Sequence, residues 1–132
     1  MSKRLVITST FDAARKAEEC LLAEVVRREY SEEAAFAIKL ALEEGLINAI
    51  KHGNGMDPRK TIQLDFDVDD ERACFTITDQ GHGFDPAAVP DPTADENLEK
   101  PCGRGIMLMN AYMDEVTFNR RGNQVHLVKR KA

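Results

Sequence analysis

The sequence contains no long hydrophobic run, no excess of positive charge and no spaced set of cysteines. No apolar stretch approaches the roughly 20 residues that a helix needs to span a bilayer, and the first residues do not resemble a secretory signal, so we expect no membrane association. The formal charge is −5, from 18 basic and 23 acidic residues, which argues against direct nucleic-acid binding. Cys20, Cys74 and Cys102 form no CxxC pair and no zinc spacing. Reduced thiols and a cytoplasmic location are therefore expected.

The first half of the chain has the hydrophobic period of two helices. The first is predicted from about Ala13 to Tyr30 with Asp12 as its cap. Ser31 can cap the second, which then runs on to a glycine-rich end near Gly53 or Gly55.

The hydrophobic period then changes from helical to alternating. Apolar residues occupy every second position from Thr61 to Val68, and again from Ala73 to Thr78 after a polar turn. This pattern predicts an antiparallel hairpin with one buried face. A first strand is predicted at 5–9, and two more at 115–119 and 124–129.

The element order is β-α-α-β-β-loop-α-β-β, with a loop from Asp79 to Gly103 that is far longer than the usual 4 to 6 residues. We interpret residues 84–103 as a lid. Residues 1–132 are predicted to form a single domain. The predicted fold class is a two-layer α/β sandwich, with a mainly antiparallel mixed sheet of about five strands covered on one face by three helices.

Three polar residues recur at intervals of four in the second predicted helix. Glu44, Asn48 and His52 therefore lie on one side of it. Asn48 offers a neutral oxygen ligand for magnesium, completed by phosphate oxygens and waters. Glu44 would then face the terminal phosphate, where a carboxylate can take a proton from an attacking hydroxyl. His52 could help hold a phosphate or could cap the helix end. Taken alone, such a row is also typical of a solvated helix face.

The segment from Asp79 to Gly83, Asp-Gln-Gly-His-Gly, directly follows a predicted strand. Gly81 and Gly83 allow tight turns and the close approach of a ligand. A buried carboxylate at position 79 could accept a hydrogen bond from an exocyclic amine such as that of adenine. The same composition is also typical of an ordinary turn.

A second glycine pair, Gly103 and Gly105, opens a helix predicted from Arg104 to Tyr112. Backbone N–H groups at a helix start can hold phosphate oxygens, and the Arg104 side chain could reach a phosphate. The alternatives are a flexible hinge and a solvated arginine.

Together, in this order, the three segments resemble the three boxes of the histidine-kinase-like ATPase superfamily. Its members include gyrase, heat-shock chaperone ATPases, mismatch-repair ATPases and sensor kinases. The resemblance implies ATP and Mg²⁺ as the bound cofactors. It implies magnesium on Asn48, adenine on Asp79 with Gly81 and Gly83, and phosphates on the glycines at 103 and 105.

Nearly the whole chain is similar to one branch of that superfamily, the small anti-sigma-factor serine kinases of bacteria. The similarity is carried by residues 44–53, 103–109 and 113–116. In that branch the glutamate four residues before the asparagine is the catalytic base, which implies Glu44. The resemblance implies a serine/threonine protein kinase that phosphorylates a STAS-type antagonist of an anti-sigma factor and sequesters a sigma factor or similar regulator of transcription. A homodimer is expected from the same resemblance.

Two other hypotheses remain open at this point. The chain could be a nucleotide-binding, partner-switching module without significant kinase activity. It could also be a structural α/β domain in which the three boxes are coincidental.

Overall fold

A computed structural model describes residues 2–81 and 101–131, the side chains of 101–106 excepted. The elements in chain order are β1 (Lys3–Thr8), α1 (Phe11–Arg27), α2 (Glu32–Asn48), β2 (Thr61–Val68), β3 (Arg72–Thr78), α3 (Pro101–Tyr112), β4 (Glu115–Phe118) and β5 (Gln124–Arg130). A π-helical turn, Ala49–Gly53, continues α2. Of the predicted lid, residues 84–100 lie outside the described residues, whereas 101–103 belong to α3.

The five strands form one sheet in the order β1-β2-β3-β5-β4. Every pair of neighbours is antiparallel. The predicted two-layer α/β sandwich is confirmed, although the described strands contain no parallel pair of the kind that a mixed sheet would have.

The core lies between one face of this sheet and the helices. Strand residues alternate as predicted, and Phe75 and Leu127 are completely buried at its centre. Burial of a large apolar side chain stabilises the fold by about 1.5–3 kcal/mol. The sheet residues of this layer are Ile62, Leu64, Phe66, Val68, Ala73, Phe75, Ile77, Val125 and Leu127. Within the described ranges, every helix is too short or too polar to span a bilayer.

The helix starts agree with prediction in one case and differ in the other. Ser31 caps α2, since its Oγ accepts a hydrogen bond of 3.1 Å from the Ala34 N–H. The cap of α1 is Thr10 and not Asp12: Thr10 Oγ1 accepts from the Ala13 N–H at 3.3 Å. Both residue types satisfy free N–H groups at a helix start, so composition alone did not separate them.

The end of α2 also differs from the single continuous helix that the sequence predicted. The α-helical bonding stops at Asn48, and the next turn is π-helical. Its last bond joins the Asn54 N–H to the Ala49 carbonyl at 2.8 Å. Gly55 and Met56 then take left-handed backbone angles, φ 61° and 62°, which ends the helix. Such π turns occur often at functional sites.

Candidate nucleotide-binding site

The packing direction of α3 determines which helix ends meet. The Tyr112 ring lies edge-on to Phe36 near the start of α2, with 6.2 Å between ring centroids. A Cβ built on Gly45, further along α2, would lie 3.8 Å from Met109 Sδ. The earlier residue of α3 thus contacts the later residue of α2, so the two helices are antiparallel. The first turn of α3 consequently points toward the end of α2 that carries Asn48.

Asn48 carries a buried oxygen that lacks a partner. Among the described residues, its Oδ1 is the buried side-chain polar atom without a hydrogen bond. Leaving such an atom unsatisfied costs about 1–3 kcal/mol, so a ligand at this point would be stabilising. The described residues contain no group of three or more His, Cys, Asp or Glu that could hold a metal. A magnesium ion here would thus depend on Asn48, phosphate oxygens and water, which suits its preference for oxygen ligands.

Glu43 and Glu44 are neighbours in sequence with different surroundings. Glu43 hydrogen-bonds to Glu18 of α1. Burial, reinforced by this bond and by the negative charge of Glu43, raises the pKa of Glu18 to about 7. Glu44 is half-buried, one turn before Asn48, and within the described ranges it has no hydrogen bond or ion pair. Glu43 therefore belongs to the α1–α2 interface, and Glu44 is the carboxylate left for the site.

Asp79 directly follows β3, and its carboxylate lies against the π turn. The Gly81 N–H donates to Asp79 Oδ1 at 2.8 Å, which fixes the orientation of the carboxylate. Burial raises the pKa of Asp79 above its ordinary value, whereas the Gly81 N–H and the positive charges of Lys60 and Arg121 oppose this rise. The Asp79 carboxylate is therefore a half-buried hydrogen-bond acceptor, and one of its two oxygens is already oriented.

Two glycines make this close approach possible. A Cβ on Gly53 would overlap the Asp79 carboxylate, and a Cβ on Gly81 would overlap the Gly53 carbonyl oxygen. Only hydrogen fits at either position. The described structure thus brings Asp79 and Gly81 to the same helix end as Asn48.

The second glycine pair requires a correction. The sequence predicted Gly103 and Gly105 at the opening of a helix from Arg104, but α3 begins at Pro101, so they are its third and fifth residues. Proline suits the first helical position because its ring fixes φ and its nitrogen carries no hydrogen. The free N–H groups at a helix start are those of the cap and of the first three helical residues. In α1 and α2 the fourth residue already donates to the cap carbonyl. Gly103 can therefore offer a free N–H group, whereas the N–H groups of Arg104 and Gly105 bond within the helix.

The other predicted site residues have separate outcomes. His52 lies in the π turn and is exposed, so its side chain can reach solvent beside the site, and a phosphate contact stays a prediction. Gly83 is outside the described residues. The side chain of Arg104 is likewise not described, and its contact with phosphate stays a prediction.

Sequence reasoning missed Asn54, Lys60 and Arg121. Asn54 is buried at the end of the π turn, and the other two bring positive charge to Asp79. Asn54 stands among glycines, where asparagine ordinarily indicates a turn. Arg121 is 42 residues from Asp79 in sequence, so no local pattern could have connected them.

Comparison with known proteins bears on this arrangement. A family model for the histidine kinase-like ATPase domain matches residues 7–129. The chain is 33% identical over 99 residues to serine-protein kinase RsbW of Staphylococcus epidermidis, a match that covers 69% of this chain and 62% of that protein. It is 33% identical over 101 residues to anti-sigma F factor of Geobacillus thermodenitrificans, covering 72% and 68% respectively.

The fold has a solved counterpart in the crystal structure of the RsbU and RsbW domains of Rv1364c from Mycobacterium tuberculosis. The TM-score is 0.66 at 15% identity, and the match covers 98% of this chain and 32% of that one. The family model, which matches most of the chain, shows that the chain belongs to the histidine kinase-like ATPase domain family. Within that family it lies in the anti-sigma kinase branch, beside RsbW and anti-sigma F factor. The match spans 62% of the RsbW length.

Proposed function

We propose that this protein is a magnesium- and ATP-dependent serine/threonine protein kinase of the anti-sigma type. It would phosphorylate a small STAS-type antagonist protein and sequester a sigma factor or similar regulator. The observation that carries the proposal is the unpartnered Asn48 Oδ1, one helical turn after the half-buried Glu44. The names of the relatives, a serine-protein kinase and an anti-sigma factor, support the same activity.

The ends of the nucleotide would have separate binding groups. Asp79 would accept a hydrogen bond from the exocyclic amine of adenine, since its carboxylate is half-buried and oriented by the Gly81 N–H. Free N–H groups in the first turn of α3, among them that of Gly103, would hold phosphate oxygens, because the positive end of a helix favours anions. His52 would lie beside the phosphates at the end of the π turn.

The chemical step would depend on Glu44 and Asn48. Asn48 Oδ1 would hold the magnesium ion that, when bound, neutralises charge on the phosphates. Glu44 would accept the proton of a serine or threonine hydroxyl on the antagonist as that oxygen attacks the γ-phosphorus. The phosphoryl group passes to the hydroxyl oxygen, and ADP leaves.

The proposal is tested by Glu44→Gln with Glu43→Gln as its matched control. The purified wild type, incubated with magnesium and radiolabelled ATP, should label a STAS-type antagonist from the same organism. Glu44→Gln should keep ATP affinity in calorimetry but lose about 100- to 10,000-fold in transfer rate, the usual contribution of a general base. Glu43→Gln, which removes a carboxylate directed at α1, should transfer at nearly the wild-type rate.

Two results would contradict the proposal in different ways. Full transfer by Glu44→Gln would remove Glu44 from the base role. Tight, magnesium-dependent ATP binding without transfer to any antagonist would favour the second candidate, a partner-switching module without kinase activity. That candidate shares the nucleotide site and differs only in the use of Glu44.

A further inference from the structure

Asn54 is buried where four segments of the chain meet. It directly follows the π turn and is 1% exposed. Its Nδ2 donates to Ser9 Oγ at 3.0 Å and to the Thr61 carbonyl at 3.1 Å. Its Oδ1 accepts from the Gln80 N–H at 2.8 Å. The amide thus joins the β1–α1 junction, the end of the α2 helix, the start of β2 and the loop after β3.

The bond to Gln80 acts on the residue between Asp79 and Gly81. Gln80 is held a second time, since its Oε1 accepts from the Thr61 N–H at 2.8 Å. The next N–H along the chain, that of Gly81, orients the Asp79 carboxylate. Asn54 therefore fixes the backbone at Gln80, next to the Gly81 N–H that orients the Asp79 oxygen.

The same amide is anchored to the element that carries Asn48. The Asn54 N–H closes the π turn on the Ala49 carbonyl, and Ala49 is the residue after Asn48. A path of covalent and hydrogen bonds thus runs from Asn48 through Asn54 to Gln80. Because the Asn54 amide is buried and its polar atoms are paired, loss of one partner leaves the others unsatisfied.

We propose that Asn54 is a positioning residue that holds the Asp79 loop at a fixed place relative to Asn48. It thereby makes the protein prefer adenine over guanine nucleotides. This inference rests on the proposed nucleotide site. Guanine carries a carbonyl oxygen where adenine carries an amine, so the ATP/GTP affinity ratio measures how accurately Asp79 is placed.

The experiment compares three variants by calorimetry with magnesium–ATP and magnesium–GTP. Asn54→Ala should lower the ATP/GTP affinity ratio at least tenfold. Ser9→Ala removes one bond of the same amide without touching Gln80, so it should change the ratio by less than about threefold. Asn54→Asp keeps an oxygen acceptor for the Gln80 N–H. Its ATP/GTP affinity ratio should therefore stay close to that of the wild type, even if its thermal stability is lower. Equal ratios in all variants, with only the melting temperature reduced, would overturn the proposal.

Hydrogen exchange gives a second measurement that needs no nucleotide and no unstable variant. In the wild type, the Gln80 amide should be protected nearly as well as that of Ile77 in β3. In Asn54→Asp its protection should persist, and in a folded Asn54→Ala it should fall at least tenfold while Ile77 is unchanged. Exchange of the wild-type Gln80 amide at the rate of an open loop contradicts the inference. If the wild type binds no ATP, the proposed function fails and the exchange data still decide the role of Asn54.

Discussion

Glu18 and Asp79 are carboxyl groups that lie partly or fully out of contact with water, and their neighbours shift their pKa values in opposite directions. Glu18 lies between α1 and α2, where the adjoining Glu43 adds to the effect of burial and raises the pKa of Glu18 to about 7. Asp79 lies at the end of β3, where burial also raises the pKa but the Gly81 N–H, Lys60 and Arg121 act against it. Burial alone therefore does not determine the charge of a carboxyl group.

The difference separates a structural position from a binding position. At neutral pH a substantial fraction of Glu18 is protonated, and a protonated carboxyl can donate to Glu43 across the helix interface. Asp79 has the Gly81 N–H and the positive charges of Lys60 and Arg121 around it, which favour its ionised form against the effect of burial on its pKa. The adenine amine needs such an acceptor, which is why the loop after β3, and not the α1–α2 interface, is the candidate site.

The largest effect is expected from Gly81→Ala, which removes the support of Asp79. The added Cβ would overlap the Gly53 carbonyl oxygen, and backbone cannot move aside as a side chain can. We expect a loss of about 3 kcal/mol or more in the free energy of unfolding and no measurable ATP binding. Denaturant melts and calorimetry measure the two effects.

Gly55→Ala is the matched control for this substitution. Gly55 has a left-handed φ of 61° but open space around it. The Gly55→Ala variant should therefore lose only about 1–2 kcal/mol in the free energy of unfolding and keep its ATP affinity. Similar behaviour of the two alanine variants would contradict the close approach of Gly81 to the π turn.

Asp79→Asn removes the charge while keeping the size of the side chain. ATP affinity should fall about 10- to 100-fold, since a hydrogen bond to a charged group contributes about 1.5–3 kcal/mol. Thermal stability at pH 7 should not fall, because the raised pKa of Asp79 means that burying its charge is unfavourable. Undiminished ATP affinity would exclude Asp79 as the adenine acceptor.

Glu18→Gln tests the raised pKa of Glu18 by its effect on protein stability. The folded protein holds a proton on Glu18 up to about pH 7, whereas the unfolded chain releases it near 4.5. This contribution to stability is present below pH 4.5 and is lost as the pH rises to about 7 and beyond. At pH 8 the free energy of unfolding of Glu18→Gln should therefore exceed that of the wild type by on the order of 1–3 kcal/mol. This difference should vanish near pH 4.5.

The matched control is Glu19→Gln, the exposed neighbour on α1, which should shift stability little at either pH. Thermal melts of the three proteins from pH 4.5 to 8 make the comparison. Parallel curves for wild type and Glu18→Gln would show that Glu18 is not protonated in the folded state.

The smallest effect is expected in the pH dependence of ATP binding. As the pH falls through the raised pKa of Asp79, the acceptor is protonated and affinity drops, by about twofold where pH and pKa are equal. Asp79→Asn should lack this component, so the difference between its calorimetric profile and the wild-type profile isolates it. Glu18→Gln should leave the wild-type profile unchanged.

Much of the fold could be predicted from the sequence because local chemistry determines it. The alternation in β2 and the cap at Ser31 each depend on a few adjacent residues, and both are confirmed. The apolar side chain of Val26 is 66% exposed, although the hydrophobic period of α1 would place it toward the core. It is the next-to-last residue of α1, and the last turn of a helix can extend past the core that its period implies.

The candidate site was less accessible to sequence reasoning, because its contacts are long-range. The pairing of Glu18 with Glu43 depends on how α1 packs against α2, which no single helical pattern specifies. The bond from Asn54 to Gln80 spans 26 residues. The π turn also escaped prediction, because no residue preference in 49–53 separates it from an α-helical turn. The residue types in the three boxes could be proposed, but their mutual positions could not.

The π turn makes the site depend on the number of residues as well as on their identity. An α-helix rotates about 100° per residue, and a π turn accommodates one residue more than the α-helical turn it replaces. If the same residues formed an α-helical turn, Asn54 would be turned away from Ser9 and Gln80 by about a quarter of a revolution. The spacing between Asn48 and Asn54 is therefore as much a part of this site as the side chains themselves.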